Sequence, residues 1–99
     1  NSLFLVVAPF KELSPSQFGM KLVLKHMPGK QEPLYLSAKA GESLAKRYTA
    51  MMQLAQALEG SQILVIATVQ QAESGVLNAD TVAMMLVDKH FLPVDSFED

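Results

Sequence analysis

The chain has 99 residues, which is enough for one domain with a single hydrophobic core and too few for two. Hydrophobic residues make up 49% and charged residues 18%, which excludes a disordered chain, and the absence of cysteine excludes disulfides, thiol catalysis and zinc–thiolate or iron–sulfur sites. The net charge of −2 conceals a gradient, because residues 1–47 carry +4 and residues 48–99 carry −6. Either the basic half faces an anionic partner or the few charges have fallen unevenly.

The first third of the chain predicts two strands separated by a loop. Leu3–Ala8 is an apolar run of branched and aromatic residues, typical of a buried or edge strand. Turn-forming residues in Glu12–Gly19 predict a loop. Met20–His26 alternates, so we predict a second strand with one apolar face and an opposite face that carries Lys21 and Lys25.

A third strand is predicted to return beside the second. The Pro-Gly pair in Met27–Lys30 favours a type II turn, which joins antiparallel strands. Pro33–Lys39 alternates again, with Tyr35 and Lys39 on the face opposite the leucines. Strands two and three therefore form a hairpin with one apolar face and one basic, partly aromatic face.

The second half predicts one helix and two further strands. Apolar residues recur every three or four positions across Glu42–Glu59, the pattern of an amphipathic helix. Ile63–Val69 and Val76–Val87 are predicted as strands joined by a turn over Gln70–Gly75, and a bend in the last strand is predicted near Asn78–Asp80.

The element order β-β-β-α-β-β predicts an all-β barrel with one helix. Five strands with a helix between the third and fourth is the order of the oligonucleotide/oligosaccharide-binding (OB) fold, although other α+β folds also accept it. Residues 1–90 are expected to form this single OB-like domain. Residues 91–99 are expected to form a flexible acidic tail.

Four short segments of the chain also carry a family resemblance. They are Ser14-Pro15-Ser16, Leu22–His26, Ile63–Val69 and Leu77–Val87. In pattern, rather than in identity, they resemble the first loop, the second strand and the closing strand pair of bacterial single-stranded-DNA-binding proteins and of the primosomal PriB proteins. The resemblance implies that a single DNA strand, or alternatively RNA, lies across strands one to three of a homo-oligomer.

Binding of that kind needs cations that replace counterions along the phosphates and flat rings that stack on bases. Eight residues meet these needs, because they lie on the outward face or the tip of the predicted hairpin, at the end of strand one or in the first loop. They are Phe10, Lys11, Phe18, Lys21, Lys25, Lys30, Tyr35 and Lys39. Structural interpretations stand beside this one: alternate lysines keep a strand solvated, and an isolated tyrosine often packs against its neighbours.

Two departures from the family weaken autonomous DNA binding, and the second of them, together with the acidic second half of the chain, favours an alternative function. The sequence has no tryptophan, and the predicted turn Gln70–Gly75 holds one acidic residue and no basic one. The alternative is a protein-interaction or assembly subunit that uses the same barrel without binding nucleic acid. Adjacent residues of a strand point to opposite faces, so one of Met84 and Met85 should face outward and favour self-association.

Other function classes have no support in the sequence. No acid–base pair, nucleophile elbow or glycine-rich phosphate loop is recognisable, and the consecutive residues Asp88-Lys89-His90 cannot converge if they lie on a strand. We therefore predict no enzymatic activity, no cofactor and no metal. No apolar run approaches the ~18 residues of a membrane span, so we expect a cytoplasmic protein without membrane association.

Overall fold

The computed structural model describes residues 2–17, 19–25 and 33–94. They form five strands and one helix in the predicted order, with these bounds: β1 Ser2–Ser16, β2 Gly19–Leu24, β3 Leu34–Leu36, α1 Ala38–Ala57, β4 Gln62–Gln71 and β5 Leu77–Val87. The strands join in one closed sheet with the neighbour order β1-β2-β3-β5-β4, in which only the β3–β5 contact is parallel. The prediction of a mostly-β domain with one helix is confirmed.

The first strand is much longer than its sequence predicts. We expected a loop over Glu12–Gly19, but β1 continues to Ser16. Its first half pairs with β4 and its second half with β2, and a register shift between Phe10 and Glu12 marks the change of partner. A β-bulge at this position bends the strand so that it can serve both neighbours. Long-range pairing therefore outweighs the local turn propensity of the Ser-Pro-Ser segment.

The third strand is shorter than predicted, and the helix begins earlier. β3 covers only Leu34–Leu36, and the Ser37 hydroxyl then accepts a hydrogen bond from the backbone N–H of Ala40 at 3.1 Å. Serine is a favoured N-cap because this bond satisfies an unpaired N–H of the first turn. Lys39 consequently lies in the first turn of α1, and its predicted position on the strand beside Tyr35 is wrong.

The closing hairpin follows the prediction closely. β4 and β5 pair antiparallel along their whole length, with Gln62 opposite Val87 and Gln71 opposite Leu77. The bend predicted near Asn78–Asp80 takes the form of a register shift. Thr68 pairs with Thr81 and Val69 with Ala79, which leaves Asp80 as the extra residue on β5.

The core fills the inside of the closed sheet, and α1 packs against β2, β3, β4 and β5. Alternate residues of the strands point inward, as expected for a sheet with one buried face. The largest fully buried side chains are Leu22, Leu24, Leu34, Leu44, Val65, Val69 and Val87. Leu44 comes from α1, whose other buried residue is Gly41, so the helix is held to the core mainly near its first half.

The chain turns back onto β5 after Val87. The Asp88 carboxylate accepts hydrogen bonds from the backbone N–H groups of Leu92 at 3.1 Å and His90 at 2.8 Å, and these bonds lower the pKa of that carboxyl from its ordinary value. The backbone N–H of Val94 donates to the carbonyl of Leu86 at 3.0 Å. Of the predicted acidic tail, residues 91–94 are therefore bonded along β5, and residues 95–99 lie outside the described part of the chain.

Candidate functional site

Strand register places four polar side chains in one row across the outside of the sheet. Lys21 pairs with Ser14 of β1 on one side and with Tyr35 of β3 on the other, and Tyr35 pairs with Asn78 of β5. The residues that follow Lys21 and precede Tyr35 are fully buried leucines, so the two polar side chains lie on the outer face. Lys21 and Tyr35, the central residues of the predicted basic and aromatic hairpin face, are therefore neighbours on the outer face of the sheet.

An open groove of about 650 Å³ lies over this row. The end of β1 and the turn after it border the groove through Ser16 and Gln17, and Val76 and Asn78 border it where β5 begins. A recess of about 390 Å³ that shares Tyr35 and Val76 extends to the β4–β5 turn. Among the described residues, Lys21 is the one charged side chain that lines the groove or the recess.

Several groups that line this groove were missed in the sequence. Asn78 approaches Tyr35 because β3 and β5 are parallel neighbours, although 43 residues separate them along the chain. Ser37 reaches the groove because it ends β3 and caps the helix. No local pattern signals either approach. In the sequence, only the polar turn residues Gln17 and Ser74 suggest that polar groups border the groove and the adjoining recess.

Three of the predicted residues line a different depression. Phe10, Lys11 and Lys25 border a cleft of about 320 Å³ between the bulged part of the sheet and α1. The Phe10 ring stacks on Tyr48, with ring centroids 4.0 Å apart and an interplanar angle of 22°. Lys25 follows the end of β2, where its backbone N–H donates to the carbonyl of Pro9 at 2.8 Å. The structure therefore divides the predicted binding face into two parts.

The two parts are separated along β2. Lys21 and Lys25 are four residues apart, or about 13 Å along an extended strand. Glu12 of β1 pairs with Val23 and so lies beside the midpoint between the two lysines. The basic row on this side of the sheet is consequently interrupted by a carboxylate.

Of the three remaining predicted residues, the structure describes only Lys39. Lys39 is exposed in the first turn of α1 and lines neither the groove nor the cleft. Phe18 and Lys30 lie outside the described residues, as does the turn predicted over Met27–Lys30. The described site therefore consists of Lys21 and Tyr35 in the groove, and of Phe10, Lys11 and Lys25 in the cleft.

Comparison of the sequence with models of known protein families identifies one family that matches this chain. The model of one family, described as "Protein of unknown function (DUF1173)", matches the chain over residues 1–99. The chain belongs to the DUF1173 family. No curated protein and no solved structure matches it. Membership of DUF1173 itself assigns no activity, so the chemistry of this chain must be argued from its own residues.

The groove of this DUF1173 chain offers groups suited to binding. Its described lining combines the Lys21 ammonium and the Tyr35 phenol with hydroxyls and carboxamides. An ammonium attracts phosphates, an aromatic ring stacks on bases, and carboxamides exchange hydrogen bonds with either. Within residues 2–17, 19–25 and 33–94, no group of three or more His, Cys, Asp or Glu is placed to hold a metal ion. In the same ranges, α1 is not long and apolar enough to cross a membrane.

Proposed function

We propose that this domain binds single-stranded nucleic acid, in the first place DNA, in the groove over Lys21 and Tyr35, and that it acts in replication, repair or replication restart. The observation that carries the proposal is the position of the groove. It lies over β2 and β3 between the β1–β2 and β4–β5 turns, with a cation beside an aromatic ring and no carboxylate among its described lining residues. Oligonucleotides bind at this place on OB-type barrels.

The strand order supports an OB-type barrel as the finer description of the fold. Five strands close through a long, bulged β1 that serves two neighbours, and the helix lies between β3 and β4. The OB fold is a five-stranded barrel whose second and third strands present the binding face. In this chain that face is occupied by Lys21 and Tyr35, which pair with each other.

The proposed mechanism is electrostatic attraction with stacking. Lys21 displaces counterions from a backbone phosphate, and a base packs on the half-buried ring of Tyr35. Asn78 and Gln17 provide hydrogen-bonding groups at the groove margins without a fixed base code. Binding should therefore tolerate many sequences and weaken with added salt, and no bond is made or broken.

Oligonucleotide affinity at several salt concentrations tests this function. A labelled oligothymidine of about 30 nucleotides, longer than the ~16 that one OB fold covers at most, is titrated by fluorescence anisotropy. We expect log affinity to fall linearly with log salt. The Lys21→Glu/Tyr35→Ala variant should bind at least about tenfold more weakly, because loss of one stacked base alone costs ~1–3 kcal/mol.

The matched control is Lys46→Glu, which changes the same charge on an exposed position of α1 that lines neither depression. Its affinity should stay within about twofold of the unaltered domain, since a solvated surface charge that does not contact the strand contributes little after salt screening. Absent or salt-independent binding by the unaltered domain would contradict the proposed function.

A second candidate function, assembly with protein, is favoured by an apolar outer face. We define this face by Leu3, Leu5 and Val7 of β1 with Ile66, Ala83 and Met85 of the neighbouring strands. The three β1 side chains are 71%, 61% and 52% exposed, and Val7, Ile66 and Ala83 lie in one row. Residues 2–10 carry no charge, so a second copy can approach without desolvating an ion. Contiguous apolar patches of this kind mark interfaces.

We propose a second copy of this chain as the occupant of the apolar outer face, and the mass in solution tests it. Light scattering coupled to gel filtration should give twice the monomer mass of 10.8 kDa. Leu5→Glu/Val7→Glu should give the monomer, because two charges would be buried at the interface. Leu54→Glu, on a residue of α1 that is 44% exposed, serves as the control and should leave the dimer intact. A monomeric unaltered domain would refute self-association through this face.

A further inference from the structure

The cleft beside Tyr48 is a second basic depression, which begins at the end of β2. Lys11 and Lys25 are both exposed at its border, and none of its described lining residues carries a carboxylate. Neither lysine is ion-paired within the described ranges of the chain. Two ammonium groups at one cleft favour an anion as its ligand.

Fixed elements hold the walls of this cleft. The register shift between Phe10 and Glu12 leaves Lys11 without a partner on β2, and bulges of this kind re-aim a side chain. The Ser61 hydroxyl donates to the carbonyl of Leu58 at 2.6 Å and so fixes the far wall where α1 ends. Lys11 therefore projects from the bulge of β1, and Lys25 from the residue after β2, whose backbone N–H is bonded to the carbonyl of Pro9.

The aromatic floor points to a phosphate rather than a base. Phe10 packs against the hydrophobic core and stacks on Tyr48 at 4.0 Å, so no base can enter between the two rings. The polar groups that line the cleft include its two ammonium groups and the carboxamides of Gln56 and Gln62. Such groups bind phosphate oxygens.

We propose that the cleft is a second contact for the same nucleic-acid strand, where Lys11 and Lys25 hold backbone phosphates. This inference rests on the proposed function. A strand that leaves the groove at Lys21 and follows β2 reaches Lys25 after about 13 Å. Glu12 repels phosphates between these points, so the strand is held at two separate places.

Length dependence of binding tests the two-point contact. Oligothymidines of about 2 and 16 nucleotides are titrated into the isotope-labelled domain, because the short one cannot span the ~13 Å from Lys21 to Lys25 and the long one covers the largest OB-fold site. We expect the short one to shift the NMR signals of Tyr35 alone. The long one should shift Tyr35 and Tyr48 together and bind at least about tenfold more tightly.

The Lys11→Gln/Lys25→Gln variant separates the cleft from the groove. This variant should bind the short oligothymidine with unchanged affinity. It should not bind the long oligothymidine more tightly than the short one. Its salt slope with the long one should fall by about 1.4, because each phosphate contact to a single strand contributes about 0.7. Lys46→Gln/Lys89→Gln removes the same charge from exposed positions outside the groove and the cleft, and should retain both the gain and the slope.

Two results overturn the inference, and they differ. If the Lys11→Gln/Lys25→Gln variant keeps the length gain and the salt slope, the cleft does not bind the strand, while binding in the groove stands. If the unaltered domain binds neither oligothymidine, the proposed function itself fails. Thermal unfolding of each variant serves as the check on folding, and these exposed substitutions should leave the melting temperature nearly unchanged.

Discussion

The Gly19→Ala variant is expected to unfold with a free energy about 3 kcal/mol lower than that of the unaltered domain, since close overlap and backbone strain each cost ~1–3 kcal/mol. Gly19 has a φ of 150°, which side chains rarely permit. A Cβ at this position would overlap the carbonyl oxygen of Leu36 and lie 3.3 Å from the backbone nitrogen of Ala38. These are backbone atoms at the junction of β3 and α1, so they cannot turn aside.

Gly60→Ala provides the control for backbone strain. Gly60 also has a positive φ, 84°, but a Cβ there meets nothing within 4 Å. Its replacement should cost about 1 kcal/mol through conformational strain alone. Urea denaturation followed by circular dichroism measures both variants. If the two variants are equally stable, the close approach of Gly19 to Leu36 is not part of the folded structure.

Replacing Leu44 by alanine should cost about 3 kcal/mol, within the ~2–5 kcal/mol found for buried leucines. Leu44 is fully buried in the core cluster and is the large apolar side chain that α1 buries completely. Its removal leaves a cavity where the helix meets the sheet. In thermal unfolding, each kcal/mol lowers the melting temperature of a domain of this size by roughly 4–8 °C.

Leu54→Ala is the matched control on the same helix. Leu54 is 44% exposed, so its truncation should cost no more than about 0.5 kcal/mol, as is usual for surface positions. Equal losses at Leu44 and Leu54 would mean that α1 packs through a different face. The comparison also bears on function, because α1 carries Tyr48, which forms the floor of the cleft.

The sequence was most informative where a local period repeats for several residues. Alternation in Met20–Leu24 identified a strand with Lys21 on its outer face, and the β-branched run of β4 identified its neighbour in the closing hairpin. Three- and four-residue spacing identified α1, although its start lies at Ala38 rather than Glu42. Such signals are reliable because each residue's side of an element depends only on its own backbone.

Local rules failed where distant strands decided the outcome. Ser14 and Pro15 have turn propensity, yet both lie in β1 because β2 returns to pair with them. Alternation predicted that the third strand extends to Lys39. In the structure β3 ends at Leu36, and Ser37 caps the helix that begins at Ala38. Each error arose where two conformations were locally acceptable and pairing or capping selected one.

The candidate site shows the same division. The sequence alone determined the order of the elements, the placement of Lys21 and Tyr35 on one face, and the apolar character of Leu3–Ala8 in the first strand. Only the tertiary structure brought Asn78 to Tyr35 and assigned Phe10, Lys11 and Lys25 to a separate cleft. The physical reason is that periodicity fixes which side of a strand a residue occupies, whereas a bulge and a parallel contact between distant strands fix its neighbours.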